Sequence, residues 1–153
     1  QHAIDALPAV SDGALQETTL PGPTGERTVL SLYPRGVVLC LGPSADAARE
    51  QARQAQERGC IALMVCEGIR LEDGVSGAIA PDVLSTLAGI DAVAFWGTDD
   101  DARRLRQALA ARPGAIVPLV TAADIRPWCV LERHVCTDTT AAGGNASLIA
   151  SAN

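Results

Sequence analysis

The chain has 153 residues, 48% of them hydrophobic and only 3% aromatic, with a formal net charge of −6 and twelve basic residues that are all arginine. That length carries one ordinary hydrophobic core and one domain, and the acidic balance disfavours nucleic acid and anionic membrane surfaces as partners. The absence of lysine excludes Schiff-base catalysis and the phosphate-binding lysine of a P-loop, and the scarcity of aromatic rings excludes a stacking platform for bases.

The longest apolar stretches are strand-sized, far below the roughly 20 residues of a membrane-spanning helix, and no signal peptide is visible. A cytoplasmic protein is expected. Five cysteines is an odd number, and they sit mostly inside apolar runs, which predicts reduced, buried thiols. The chain opens on Gln1 without an initiator methionine, as a piece of a longer polypeptide would.

Residues 1–27 hold three prolines and three glycines with weak periodicity, and read as an irregular lead-in or linker. Regular structure is expected from Thr28. TVLSLY alternates its apolar residues, Pro34–Gly36 makes a turn, and VVLCL is a continuous apolar run of the kind buried on both faces of a parallel sheet.

A gapless internal repeat organises the middle of the chain. VVLCLGPSADAAREQARQAQERGCIALMV aligns with AVAFWGTDDDARRLRQALAARPGAIVPLV, so that Gly42 falls on Gly97, Gly59 on Gly114, Ile61 on Ile116 and Val65 on Val120. In each copy an apolar run ends at glycine, Ser44 or Asp99 stands in position to cap a helix, and a second glycine stops it. Each copy therefore predicts a βαβ unit with a right-handed crossover and parallel strands. Between the copies, SGAIA predicts a short strand and PDVLSTLAG a helix opening on Pro81. WCVLERHVCT, residues 128–137, has strand propensity and suits either a sheet edge or an outward ribbon. The fold class is α/β, a Rossmann-like open and mostly parallel sheet flanked by helices (28–127), followed by an extended C-terminal strand and tail (128–153).

Such a sheet invites a search for chemistry, and the residue patterns answer it poorly. No G-x-G-x-x-G occurs, Pro43 removes a backbone donor just after the first strand, and Asp99, Asp100 and Asp101 open the second helix with charges that repel phosphate. A small-molecule or nucleotide site, if present, belongs in the crevice near Gly42 and Gly97. Cys60 and Cys66 lie about 20 Å apart if extended, Cys129 and Cys136 have opposite strand parity, and His2 and His134 are the only imidazoles, so a metal site is not expected. His134 with Cys129 or Cys136 and Glu132 could be drawn as a nucleophilic set, but a histidine among polar strand residues is ordinarily just exposed. Glu72 and Asp73 read as a solvated turn. Asn145 and Ser147 form an N-glycosylation pattern that a cytoplasmic chain does not use. No catalytic, cofactor-binding or metal-binding residue is assigned.

The tail carries the most specific signal. ERHVCTDTTAAGGNASLIA, Glu132–Ala150, resembles the C-terminal motif of the bifunctional flavoenzyme family proline utilization A, whose pattern runs approximately E-R-S-x-S-V-N-T-A-A-A-G-G-N-A-S-L. GPTGER at Gly22–Arg27, followed by LYPRGVVLC, is similar to a second stretch of that family. His134 stands where the pattern has serine, Asp138 where asparagine precedes threonine, and Thr140 at the first alanine of the run.

The resemblance implies the C-terminal domain of the long-form enzymes. That domain is related to the aldehyde dehydrogenase superfamily and is not itself catalytic. In those proteins an FAD-dependent proline dehydrogenase and an NAD-dependent glutamate semialdehyde dehydrogenase share one polypeptide and an internal substrate tunnel. It implies no cofactor in this chain, with FAD and NAD bound by the other modules. The implied partner is the aldehyde dehydrogenase module of the same polypeptide. Homo-oligomers are compatible with it, and no nucleic acid is expected through this domain. The docking motif would comprise Thr139, Ala141, Ala142, Gly143, Gly144, Asn145, Ala146, Ser147, Leu148 and Ile149. Its glycines permit close backbone approach, while Leu148 and Ile149 supply apolar anchors.

Overall fold

The computed structural model describes residues 1–70 and 72–138. The docking motif, Thr139 and Ala141–Ile149, lies outside the described residues, as does the glycosylation pattern.

VVLCL forms β3 (Val37–Leu41), buried along its whole length at the centre of a five-stranded parallel sheet whose order is β5 (Gly74–Ser76), β4 (Ile61–Cys66), β3, β6 (Ala92–Phe95) and β7 (Leu119–Val120). The first repeat copy supplies β3, α2 (Ala45–Gln56) and β4 (Ile61–Cys66). The second supplies β6 (Ala92–Phe95), α3 (Asp99–Ala110) and β7 (Leu119–Val120). Because β4 pairs on one side of β3 and β6 on the other, right-handed crossovers place α2 and α3 on opposite faces.

Strand alternation then divides the core in two. Val37, Leu39 and Leu41 join Leu84, Leu105 and Leu109 beneath α3. Val38 and Cys40 join Ala52, Ala55, Cys60 and Cys129 beneath α2. The second face is lined mostly by alanine, cysteine and valine, with Ile125 as its one large, fully buried aliphatic side chain.

The repeat is less regular in space than in sequence. Ser44 caps α2 by accepting from the Ala47 amide at 3.2 Å, as expected. In the second copy Thr98, not Asp99, is the cap and accepts from the Asp101 amide. β7 keeps only two residues, because Pro118 has no N–H to give the ladder; its carbonyl accepts from Val93 at 2.9 Å. Ile116, aligned with the half-buried Ile61, is 92% exposed.

Between the copies, the short strand is β5 (Gly74–Ser76), which shares only Ser76 with the expected SGAIA. Its pairing with Met64–Cys66 begins at Gly74, where a Cβ would stand 2.3 Å from the Met64 carbonyl oxygen. The segment opening on Pro81 forms a 3-10 turn, Pro81–Ser85, instead of a longer helix.

The lead-in is more ordered than its composition suggests. A short helix α1 (His2–Asp5) buries Ile4 against the α3 face, and β1 (Gln16–Leu20) pairs antiparallel with β2 (Glu26–Pro34). GPTG is thus part of a hairpin loop, with Gly25 at φ +93°. A second 3-10 turn, Arg126–Cys129, leads into β8 (Val130–Asp138), which pairs antiparallel with β2 along nine residues. The result is a separate three-stranded sheet, β1-β2-β8, joined to the parallel sheet at Pro34–Val37 and at Cys129.

Candidate functional site

Two regions could carry function: the crevice where the parallel sheet reverses its winding, and the antiparallel ribbon. The crevice lies past the C-terminal ends of β3 and β6, the position at which doubly wound sheets bind ligands. It encloses about 380 Å³, with Leu41, Val65, Ile79, Phe95 and Leu105 as apolar walls and Glu67, Asp101 and Arg104 as charged groups.

The local chemistry there is already self-satisfied. Thr98 donates its hydroxyl to Asp101 at 2.7 Å, and Arg104 pairs with the same carboxylate at 2.6 Å. The Thr98 hydroxyl, helped by Arg104, holds the Asp101 carboxyl below its usual range. The α3 N-terminus is thereby complemented by its own acids, which oppose a phosphate.

Gly42 is required by the fold itself. A Cβ on it would sit 2.3 Å from the Ala48 nitrogen, so the glycine is what lets α2 close on the sheet. Gly97 is different: a Cβ there would meet the ring of Phe95, at 2.3 Å from its Cζ.

The sequence-derived nucleophilic set is not assembled. Cys129 is buried at the base of β8 beside Cys60, while Cys136 is exposed farther along the strand and accepts from the Thr28 hydroxyl at 3.6 Å. His134 and Glu132 stand exposed on β8. Among the described residues no group of three or more His, Cys, Asp or Glu side chains could hold a metal ion. Glu72 pairs with Arg70 at 3.3 Å in an exposed turn. No helix among the described residues is long and apolar enough to cross a membrane.

The ribbon has a different character. β8 forms one of its edges, and all of its residues after Val130 are exposed. Leu131 is 44% and Val135 46% exposed on one face, opposite Tyr33 and Val29 of β2, and the Arg133 guanidinium lies 4.9 Å from the Tyr33 ring centroid. Nine strand residues extend about 30 Å. The pairing Glu26–Asp138 is at the end of the ribbon distal to the parallel sheet.

Sequence reasoning missed β1, and with it the three-stranded nature of the ribbon. The usable signal was a proline- and glycine-rich loop between QETTL and ERTVLSLYP, a hairpin pattern. It also missed the contact between Cys60 and Cys129, for which the sequence carries no signal.

No protein-family model matches the chain. Among curated proteins, the bifunctional protein PutA of Salmonella typhimurium is 36% identical over 143 aligned residues, covering 85% of this chain and 11% of that protein. The bifunctional protein PutA of Escherichia coli is 34% identical, with the same coverage. The chain thus spans about a tenth of the length of these relatives. Among solved structures, Bradyrhizobium japonicum proline utilization A is 28% identical with a TM-score of 0.54, covering 68% of this chain and 13% of that one. PnpE in complex with nicotinamide adenine dinucleotide gives a TM-score of 0.54 at 16% identity, over 69% of this chain and 26% of that one, a likeness of fold alone.

Proposed function

The chain is homologous to part of proline utilization A, and we propose that it serves there as a noncatalytic domain packing on the aldehyde dehydrogenase module and covering the substrate-channelling tunnel. The observation that carries this reading is the ribbon. A three-stranded sheet with an exposed edge strand and apolar Leu131 and Val135 in solvent is an incomplete packing unit. The sequence that follows β8, residues 139–153, is uncharged, and Gly143, Gly144 and Asn145 within it suit close backbone approach to a neighbouring surface.

In this reading the longer polypeptide is cytoplasmic and oxidises proline to glutamate, with FAD and NAD held by its other modules. The self-satisfied α3 N-terminus supports a domain without a nucleotide of its own. Intramolecular docking needs little intrinsic affinity, because the tether supplies a high effective concentration.

The test is removal of residues 139–153 from the longer polypeptide that carries this domain. Proline dehydrogenase turnover is expected to persist, while NADH formation by the aldehyde dehydrogenase falls. Unchanged NADH formation, or loss of the cooperative melt of the 153-residue chain after the same truncation, overturns the reading.

A second reading, a small-molecule or nucleotide-binding regulatory domain, is favoured by the cleft at the switch point. Calorimetric titration with NAD, NADP and AMP separates the two. Saturable binding to this chain supports regulation, and the acids opening α3 weigh against it.

A further inference from the structure

We propose that Cys60 and Cys129 form a peroxide-sensitive pair whose disulfide fastens the antiparallel ribbon to the parallel sheet. The inference is independent of the docking reading and rests on where the two thiols meet. Cys60 directly precedes β4, on the sandwich side of the junction; Cys129 ends the 3-10 turn that directly precedes β8, on the ribbon side. Although 69 positions apart, they share one buried cluster with Cys40, and the Cys60 thiol donates to the Cys129 carbonyl at 3.0 Å. The Cys60 sulfur therefore lies against the Cys129 backbone, inside the buried cluster that also holds the Cys129 thiol.

The surroundings hold this arrangement. The Arg35 amide donates to the Cys129 carbonyl at 3.0 Å, and its guanidinium donates to the carbonyls of Trp128 and of Val130, the latter at 3.2 Å. Arg35 therefore fixes the base of β8 against the turn that leads into β3. On the other side, the Cys60 amide donates to the Ala55 carbonyl at the end of α2. The backbones of both cysteines are thus held in place by hydrogen bonds.

The same surroundings divide the labour between the sulfurs. The Cys129 thiol, then the backbone amides of Gly36 and Arg35, favour the Cys60 thiolate and pull its pKa down to about 6 against the opposing effect of burial. The 3.0 Å bond to the Cys129 carbonyl requires a protonated Cys60, so these effects compete. The neighbouring Cys60 and burial push Cys129 upward. Opening at the ribbon's base breaks the bond from the Cys60 thiol to the Cys129 carbonyl and frees Cys60 to ionise, which makes it the attacking sulfur and Cys129 the resolving one.

In the reaction, the Cys60 thiolate attacks one oxygen of hydrogen peroxide, the O–O bond breaks, and protonation of the departing hydroxide gives water and a sulfenic acid. The Cys129 sulfur then attacks the Cys60 sulfur, its proton leaves with the sulfenic hydroxyl as a second water, and the S–S bond forms. Two thiols are oxidised and one peroxide is reduced. Cys60 is 4% exposed and Cys129 2%, so the step is slow and requires opening at the ribbon's base.

The experiment treats the native 153-residue chain with excess hydrogen peroxide, blocks remaining thiols under denaturing conditions, and maps peptides by mass. The expected product is a peptide pair joining Cys60 to Cys129, lighter by two hydrogens and separated by reductant. Exposed Cys136 oxidises independently, so Cys136→Ser is expected to leave the Cys60–Cys129 link intact, and Cys129→Ser to leave Cys60 as an unlinked sulfenic acid trapped by dimedone. A bond from Cys60 to Cys40, or no intramolecular bond after Cys136 has been fully oxidised, overturns the proposal. The wild-type map decides the question even where a serine variant does not fold.

Discussion

Gly42→Ala and Gly97→Ala test whether the glycine at the sheet's switch point is held by packing or by space for a ligand. The two positions align in the repeat, but their surroundings differ. A Cβ on Gly42 meets backbone: 2.3 Å to the Ala48 nitrogen, 2.9 Å to the Ala47 carbonyl carbon and 2.9 Å to the Ala48 Cα. Backbone cannot rotate out of the way, so relief requires the first turn of α2 to withdraw by about 1 Å from a sheet it touches through fully buried Ala48.

Overpacking of this kind costs about 1–3 kcal/mol, and the absence of any movable side chain puts Gly42→Ala at or above about 3 kcal/mol. At Gly97 the intruding atoms are the far end of the Phe95 ring, which is only half-buried and can swing into the open crevice. Gly97→Ala should cost less than about 1 kcal/mol. Urea unfolding followed by far-ultraviolet circular dichroism measures both, read from midpoints at an unchanged m value. A Gly42→Ala variant within about 0.5 kcal/mol of wild type, or a Gly97→Ala variant equally damaging, would refute the packing argument.

Further outcomes follow from the core and the helix ends. Burial, with the nearby Cys60, pushes the Cys40 thiol up to about 12 from an ordinary 9.0. The folded state keeps this proton while the unfolded chain releases it, so the associated stability is complete below pH 9 and is lost as pH rises from 9 toward 12. The slope is about 1.4 kcal/mol per pH unit. Urea midpoints of wild type and Cys40→Ala should therefore converge across that window; parallel curves would contradict the assignment. Ser44→Ala and Thr98→Ala each remove a helix cap and should cost about 1 kcal/mol. Lying on opposite faces of the sheet, they should add in the double mutant, which thermal melts can check. On the ribbon, replacing Leu131 and Val135 together by serine should leave the melt within about 0.5 kcal/mol of wild type while weakening the docking measured through NADH formation. A large loss of stability would instead place both side chains in this domain's own core.

The parallel half of the fold was legible because its signals are local. VVLCL is apolar without interruption, and only a strand covered on both faces accommodates that. Glycines end the strands, hydroxyl residues start the helices, and the repeat carries the same grammar twice. Legibility failed where backbone chemistry or a distant partner intervened. Pro118 shortened β7 against the pattern of the first copy, and Thr98 took the capping role from Asp99 one residue early. QETTL has no apolar face to mark it as a strand; β2, on the far side of a hairpin loop, makes it one.

The candidate crevice belongs with these failures. The crevice near Gly42 and Gly97 lies where two βαβ units wind outward from adjacent strands, β3 and β6, an order that the tertiary structure supplies and that crossover handedness alone does not fix. What occupies its walls is likewise not local: that Asp101 is engaged by Thr98 and Arg104, and that Gly42 faces the backbone of α2, depends on separations of an ångström that no residue pattern encodes. The sequence by itself determined the parallel βαβ units, the Ser44 cap and the family resemblance, each of which rests on short runs of consecutive residues. Only the tertiary structure decided that β1, β2 and β8 form an exposed ribbon and that Cys60 meets Cys129. Both depend on contacts across wide sequence separations, whose partners are chosen by packing and not by local propensity.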